Sequence, residues 1–488
     1  MKPIIFQLRC VKLKKNEGRF ILSLTVKKKI NGKISSSLWS VASNFVSRGL
    51  TFMFTPIFTR LLSPDEFGIY SLYVSLMGIF TVLTTFEISG SVTYRGLAKF
   101  ESEGAAEYIS SALGAIFTLN IGSLALYIIF RNYFNDITSL STPLTVFLFL
   151  QVFLNAAMGL YFAEKRYSGE YKTVALINIG MGALSPVLAL LFIYLGSGGE
   201  SRIIAPLISS ALFGIPVIYS ILKKGQRIFW GAAWRFLFKI TLPMLPHYLA
   251  LSLIAQVDKI IIARTLGEGA VGKYSAAYSV GFLLSLLSSG ILLVLSPTAM
   301  RKQNENKTEE VRASLFASGK LICYATLVFL TLVPEIFYLV VSREYYEAMP
   351  VVYPIALAVI LLFLANSASN CLVHYERPLL ITKNSLISGA VCVILCLVLI
   401  RRVGYIGGAY VTLFSYLLLF ILNNKTLKKI SGGSLNINYS YHFWLFMLIY
   451  SCLVYFLRFS FSARLLLLTA LLLLLLPELK KYKKLLFA

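Results

Sequence analysis

Residues 60–71 read RLLSPDEFGIYS, and residues 264–275 read RTLGEGAVGKYS. Aligned at a constant offset of 204 positions without a gap, the two stretches share Arg, Leu, Gly, Tyr and Ser at five places. Each stretch connects two long apolar segments. The repeat indicates that the chain contains two related halves, so the segments around these two connections decide the fold.

Fourteen apolar segments predict transmembrane helices. Each is near the ~20 residues that a helix needs to cross ~30 Å of hydrocarbon. Backbone polar groups inside a bilayer must be bonded within their own segment, which makes such segments helical. The segments cover residues 37–61, 67–91, 109–130, 143–163, 173–195, 203–222, 240–263, 274–297, 315–340, 350–372, 379–400, 405–423, 441–459 and 463–477. The sequence therefore predicts an all-α polytopic membrane protein with about 14 transmembrane helices.

The positive charges predict the orientation in the membrane. With a cytoplasmic N-terminus, 34 of the 46 Lys and Arg lie in or beside cytoplasmic segments, and 10 lie on the other side. An excess of Lys and Arg in cytoplasmic loops is the rule for multi-pass proteins. Both termini are therefore predicted to be cytoplasmic. The net charge of +25 reflects basic loops that face anionic lipids, so membrane lipids and not nucleic acid are the expected partners.

The repeat also predicts the domain organisation. Two blocks of six helices have the same orientation, and parallel repeats of this kind hold their substrate between the halves. The predicted parts are a basic cytoplasmic arm (1–36), an N-lobe (37–222), a cytoplasmic linker (223–239), a C-lobe (240–423), a cytoplasmic loop (424–440), two added helices (441–477) and a basic tail (478–488).

Two polar stripes predict the lining of a cavity between the lobes. In the first segment the stripe includes Asn44, Arg48 and Thr55, spaced as on one face of a helix. In the seventh segment the stripe consists of Tyr248, Ser252, Gln256 and Lys259. Shifted by 204 positions, the second stripe falls on the same helix face as the first. Equivalent polar faces of paired helices are expected to line one cavity.

Charged residues inside the segments are the strongest candidates. Arg48 lies near the middle of the first segment, where an arginine costs about 2.5–3.5 kcal/mol on insertion scales and indicates a functional site. Its alternative role is a structural salt bridge with Glu87. Asp258 and Lys259 form a second charged pair, and adjacent helical residues are expected to seek different partners. Glu87 or Asp258 is also a candidate for ion coupling, and packing or snorkelling is the alternative for the pair.

Two prolines, Pro243 and Pro246, interrupt the pattern of the seventh segment beside its polar face. Proline frees backbone carbonyls and bends a helix, which predicts a gating role, although many membrane helices contain proline for packing alone. The histidines are scattered and no Walker motif or CxxC pair occurs. The sequence therefore predicts no catalytic residue, no metal site and no cofactor.

Four ordered motifs carry a resemblance to a known family. They are Leu61 to Ser71 (LLSPDEFGIYS), Leu242 to Pro246 (LPMLP) with the following QVDK at 256–259, Arg343 to Ala348 (REYYEA), and Gly404 to Ala409 (GYIGGA). Over residues 37–425 the chain resembles the oligosaccharide flippases of bacterial polysaccharide assembly (the Wzx type), within the MATE-like exporter superfamily. The resemblance implies two six-helix lobes around a cationic cavity.

The same resemblance implies a function. Such proteins are expected to export undecaprenyl-diphosphate-linked sugar repeat units to the outer leaflet of the bacterial plasma membrane by alternating access. The expected products are surface polysaccharides such as O-antigen or capsule. The expected partners are the lipid-linked oligosaccharide, membrane lipids and, as candidates, polysaccharide polymerases and chain-length proteins.

Related transporters and a membrane enzyme are the alternatives. A lipid II flippase is expected to have several arginines in its first helices, and here only Arg48 lies in mid-segment. A MATE exporter of cationic drugs is expected to have acidic sites in its first lobe, where Glu87 is the only embedded acid. A polysaccharide polymerase or ligase needs a large extracytoplasmic loop with catalytic residues. The corresponding loops here are short, so the sequence predicts a transporter and not an enzyme.

Overall fold

The computed structural model of the chain describes residues 46–47, 49–50, 52–305, 307–375 and 377–486. Its helices are α1 (52–61), α2 (Pro64–Thr85), α3 (Ser91–Lys99), α4 (Glu101–Ile129), α5 (Arg131–Thr138), α6 (Thr142–Tyr167), α7 (Tyr171–Tyr194), α8 (Ser201–Gly225), α9 (Gly231–Leu266), α10 (Glu268–Gly281), α11 (Leu284–Asn304), α12 (Thr308–Thr331), α13 (Val333–Val340), α14 (Val352–His374), α15 (Pro378–Val403), α16 (Tyr405–Ile430), α17 (Tyr441–Phe456) and α18 (Phe461–Leu486). By length and composition, ten helical segments of the described chain can span a membrane, and two shorter apolar helices follow. The predicted all-α membrane fold is confirmed, with 14 as an approximate count.

Three of the predicted segments are divided in the structure. In segment 67–91 the helix ends at Thr85, because Phe86 and Glu87 both adopt left-handed backbone angles, with φ of 50° and 53°. Segment 315–340 is divided between α12 and α13, since Pro334 lacks the N–H that would continue a helix. Segment 274–297 is divided after Gly281, a residue type that weakens helices.

The helices form two groups in chain order. In the first group, α6 packs against α2, α4 and α8, and α8 also contacts α7. In the second group, α9 packs against α15 and α16, while α14 packs against α16 and α11. Helices α17 and α18 contact α12 on the outside of the second group. Helix α2 of the first group also packs against α9 and α10 of the second group.

The two ends of the bundle differ in their packing. We call the end with Arg95, Lys165, Lys224 and Lys239 the basic end, and the end with the 62–63 connection the hairpin end. Toward the hairpin end, one apolar core joins residues of both groups, including Leu72, Ile262 and Tyr274. Toward the basic end, a separate core belongs to the first group and the beginning of α9. The two groups therefore share a core at the hairpin end, whereas at the basic end only the beginning of α9 joins the core of the first group.

The repeated motif itself joins the groups. A Cβ atom on Gly68 would overlap the carbonyl oxygen of Glu268, and one on Gly272 would overlap the carbonyl oxygen of Pro64. These two contacts exchange under the offset of 204, so they are reciprocal, as in a contact between two copies of one unit. The close approach of α2 and α10 depends on glycine at both positions, because the neighbouring atoms are backbone.

Candidate functional site

A cavity of about 720 Å³ lies between the two groups at the basic end. The first group contributes residues of α3 and of the turn before it, and the second group contributes α9, α14, α15 and α16. Its polar and charged lining consists of Glu87, Ser91, Arg95, Lys239, Thr241, His247, Tyr248, Asn366, Ser369, Asn370, Ser385 and Asn423. Its size is in the range of small-molecule sites.

Two cations and one carboxylate set the charge of this cavity. Arg95 on α3 and Lys239 on α9 are exposed, whereas Glu87 is half-buried. Neither Arg95 nor Lys239 forms an ion pair within the described residues. The cavity therefore offers an excess of uncompensated positive charge to a ligand.

The strained turn between α2 and α3 positions Glu87. Phe86 and Glu87 are the only two adjacent non-glycine residues with positive φ in the described chain. Such backbone conformations cost about 1–3 kcal/mol each and persist where the surroundings enforce them. The turn replaces the last helical turn of the predicted segment and places the Glu87 carboxylate at the cavity instead of on the side of α2.

The opposite wall is neutral and rich in amides. Asn423 donates to the hydroxyl of Ser369 at 2.8 Å, and Asn370 donates to the hydroxyl of Ser296 at 2.6 Å. The amide of Asn366 lines the cavity and has no hydrogen bond to another described residue. His247 on α9 contacts the hydroxyl of Ser385 on α15 at 2.8 Å. These groups can pair with hydroxyls of a sugar without adding charge.

Toward the hairpin end the cavity is closed by helix packing. Gln256 on α9 lies against Gly78 on α2, where a Cβ atom would be 3.4 Å from the Gln256 side chain. Beyond that contact, α2 and α10 meet at Gly68 and Gly272. The cavity is therefore bounded at one end by two successive contacts between the groups.

The predicted site residues fall into three sets. Tyr248, Pro243 and Glu87 line the cavity. Four others do not line it: Thr55, Pro246, Ser252 and Gln256. Of these, Thr55 is buried, whereas Ser252 and Pro246 are half-buried. Asn44 and Arg48 lie outside the described residues. The binding roles of all these residues stay predictions, as does gating by the prolines, through which α9 continues as one helix.

Asp258 and Lys259 lie inside the second group, away from the cavity lining. Asp258 is fully buried and accepts hydrogen bonds from Tyr274 at 2.5 Å and from Thr412 at 3.3 Å. The Lys259 ammonium lies 3.8 Å from the Asp258 carboxylate and donates to Gln256 at 3.2 Å. Each side chain thus has hydrogen-bond partners of its own, as expected, and the flexible lysine also folds back along α9 so that its ammonium lies within ion-pair distance of Asp258.

Sequence reasoning missed the two cations and the amides of the lining. In the sequence, Arg95 and Lys239 count only as part of the positive charge that predicts the orientation. The available signal was position, because both cations lie within about one turn of the end of an apolar segment. Within the described residues, no group of three or more His, Cys, Asp or Glu could hold a metal ion.

Two helical groups that share a core at one end and enclose a polar cavity at the other give this multi-pass membrane protein an architecture found in membrane transporters. Solved structures with this fold include the lipid II flippase MurJ in an inward closed conformation, with a TM-score of 0.62, 14% identity and coverage of 88% of this chain and 99% of that one. A multidrug resistance MATE transporter of the MOP superfamily, in an inward-facing conformation, has a TM-score of 0.61, 14% identity and coverage of 82% and 96%.

The chain belongs to the polysaccharide biosynthesis protein family, whose sequence profile matches residues 34–303. A probable low-salt glycan biosynthesis flippase, Agl15 of Haloferax volcanii, is 24% identical over 84% of this chain and 86% of its own length. The succinoglycan biosynthesis transport protein ExoT of Rhizobium meliloti is 23% identical over 57% of this chain and 56% of its own. The resemblance to the family of polysaccharide assembly is confirmed, and the chain is a transporter of glycan or polysaccharide biosynthesis whose fold is that of the solved MurJ and MATE structures.

Proposed function

We propose that the chain flips undecaprenyl-diphosphate-linked oligosaccharide repeat units from the cytoplasmic to the outer leaflet of a bacterial plasma membrane. The observation that carries the proposal is the cavity of about 720 Å³ between the groups, with Arg95 and Lys239 exposed and an amide wall opposite. A diphosphate-linked sugar is anionic and strongly hydrated. It needs compensating charge for the diphosphate and hydrogen-bonding groups for the sugar, and both kinds of group line this one cavity.

Alternating access is the mechanism that this proposal requires. The groups share a core at the hairpin end and enclose a cavity at the basic end, and this arrangement would serve as one of the two states of such a cycle. In the opposite state the contact between α2 and α10 opens and the basic end closes, while the prenyl tail stays in lipid. Arg48, Tyr248 and Lys259 are proposed substrate contacts along the path, and Glu87 is the proposed coupling carboxylate.

Loss of the gene and reconstitution test the substrate class. We expect a deletion strain to accumulate lipid-linked repeat units in the inner leaflet, whereas normal surface polymer without accumulation would reject the proposal. Purified protein in vesicles is then supplied with labelled lipid-linked oligosaccharide, lipid II or a cationic dye, and the rates at which the three cross the membrane are compared. Glu87 in the cavity favours cation export as the second candidate, and movement of the dye alone would establish it.

Neutralising the two exposed cations is expected to slow flipping. The double variant Arg95→Gln, Lys239→Gln should lower the initial rate about tenfold in reconstituted vesicles, since exposed ionic contacts contribute up to about 1 kcal/mol each and about 1.4 kcal/mol is a factor of ten. The matched control is Lys99→Gln with Arg235→Gln, which removes two exposed cations from the same helices outside the cavity lining. Equal rates for the two double variants would show that the charge in the cavity does not contact the substrate.

A further inference from the structure

A second cavity, of about 450 Å³, lies inside the first group and shares no lining residue with the cavity between the groups. We call it the N-lobe chamber. Its lining comes from α1, α2, α6, α7 and α8, and it includes Gln151, Asn155, Asn178 and Arg202. None of the described residues that line it is Asp or Glu. The function proposed above makes no use of this chamber.

Arg202 is the charged group of the chamber and has no anionic partner in the part of the chain that the structure describes. Its side chain is about nine-tenths buried, with 7% of the residue surface exposed, and its Nη1 atom is buried without a hydrogen bond. None of the ion pairs formed by described residues involves it. A buried and unpaired guanidinium is costly, so the site has a strong preference for a negatively charged occupant.

Aromatic rings hold this guanidinium in place. The ring centroids of Tyr70, Phe58 and Phe67 lie 3.8, 4.3 and 4.7 Å from its Cζ atom. Rings at such distances make favourable cation–π contacts with the guanidinium, and its Nη1 group remains without a hydrogen bond. The rings thus surround Arg202 and leave at least its Nη1 group to donate to a ligand.

The two amides beside it add donors of the same kind. Gln151 Oε1 accepts from the Tyr73 hydroxyl at 2.7 Å, and Asn155 Oδ1 accepts from Ser210 at 3.0 Å. Since both amide oxygens are engaged, the NH₂ groups of Gln151 and Asn155 are the ends left for a ligand. A guanidinium with two amide donors and no carboxylate is a donor set that matches an oxyanion.

We propose that the N-lobe chamber binds a small oxyanion, either the carboxylate of an acidic sugar or a free phosphate. Its volume admits a sugar ring as well as an inorganic ion. The binding would make the chamber a site distinct from the cavity in which the lipid-linked substrate is proposed to lie. This proposal does not depend on the flippase proposal, because oxyanion binding can be measured on the purified protein without transport.

The experiment measures binding to the full chain in detergent by calorimetry, supported by the shift of the unfolding temperature. The ligands are glucuronate, glucose and inorganic phosphate at equal ionic strength. We expect an oxyanion to bind at least tenfold more tightly than glucose. Binding of glucuronate alone identifies an acidic sugar as the source, and binding of phosphate identifies a free anion. Equal binding of glucose and both anions overturns the proposal.

Variants locate the binding in the chamber. Arg202→Gln is expected to weaken oxyanion binding by about 10-fold to 100-fold, as for a lost charge-assisted contact. Lys239→Gln, in the other cavity, should leave this binding unchanged. If Arg202→Gln does not fold, Asn155→Leu tests the same chamber and must also weaken binding. Retention of binding in Asn155→Leu, or its loss in Lys239→Gln, overturns the proposal.

Discussion

Replacement of Asp258 by alanine is expected to lower the free energy of unfolding by about 3–5 kcal/mol, because it leaves the Lys259 ammonium buried without its counter-charge. Asp258 is fully buried and Lys259 is 7% exposed. The same substitution removes the acceptor of the Tyr274 and Thr412 hydroxyls and so releases α10 and α16 from α9. The measurement is the unfolding temperature of the purified protein, with its abundance in membranes.

The double variant Asp258→Asn, Lys259→Met is the matched control. It removes both charges and keeps similar side-chain volumes, so most of the lost stability should return. Lys259→Met alone should be less stable than the double variant, because it leaves the carboxylate buried without its partner.

Transport by the stable double variant separates the two roles of Lys259. Transport at the normal rate would show that the pair is structural. A stable protein that no longer transports would support the proposed contact of Lys259 with the substrate. Recovery of neither stability nor transport would contradict the account of the pair as a charge-balanced unit.

The global fold could be predicted because its signals are long and repeated. Apolar segments of about 20 residues and the offset of 204 residues depend on many positions, so they indicate helices and two halves regardless of local detail. The reciprocal contacts of Gly68 and Gly272 lie at the same repeated positions. The sequence marked these glycines as shared, but it could not indicate that they meet each other.

The site was predicted less well, for a geometric reason. A polar stripe shows that a helix face is not exposed to lipid, but it does not distinguish a cavity from a contact between helices. On α9, Tyr248 lines the cavity while Gln256 packs on α2. Glu87 reaches the cavity through a turn with positive φ at two residues that have no sequence signature for it. Arg202 could be recognised only once its neighbours were found to include no carboxylate.

The contact between α2 and α10 should be the point at which a single methyl group has the largest effect on transport. A Cβ atom on Gly272 would overlap the carbonyl oxygen of Pro64, and backbone on both sides cannot move away without separating the helices. Overpacking of this kind costs about 1–3 kcal/mol or more. We expect Gly272→Ala to disfavour the state that is closed at the hairpin end and to reduce flipping at least tenfold.

The reciprocal arrangement sharpens this prediction, because Gly68→Ala should reduce flipping to a similar degree. Once one methyl group has separated α2 from α10, the second meets less resistance, so the double variant should lose less than the sum of the two single losses. The control is Gly122→Ala on α4, where a Cβ atom would have no neighbour within 4 Å and alanine favours the helix by about 0.5–1 kcal/mol.

Crosslinking shows whether the variants act on closure. A Cβ atom at Gly269 would lie 2.8 Å from the Asp65 carboxylate, so cysteines at positions 65 and 269 should react with a short thiol crosslinker in the closed state. We expect Gly272→Ala to lower the crosslinked fraction in parallel with transport.

Normal transport in both single variants would mean that the cycle does not require these helices to approach so closely, and the repeated glycines would then serve only assembly of the fold. Lost transport with an unchanged crosslinked fraction would place the defect outside the hairpin end, since closure would be intact while flipping fails.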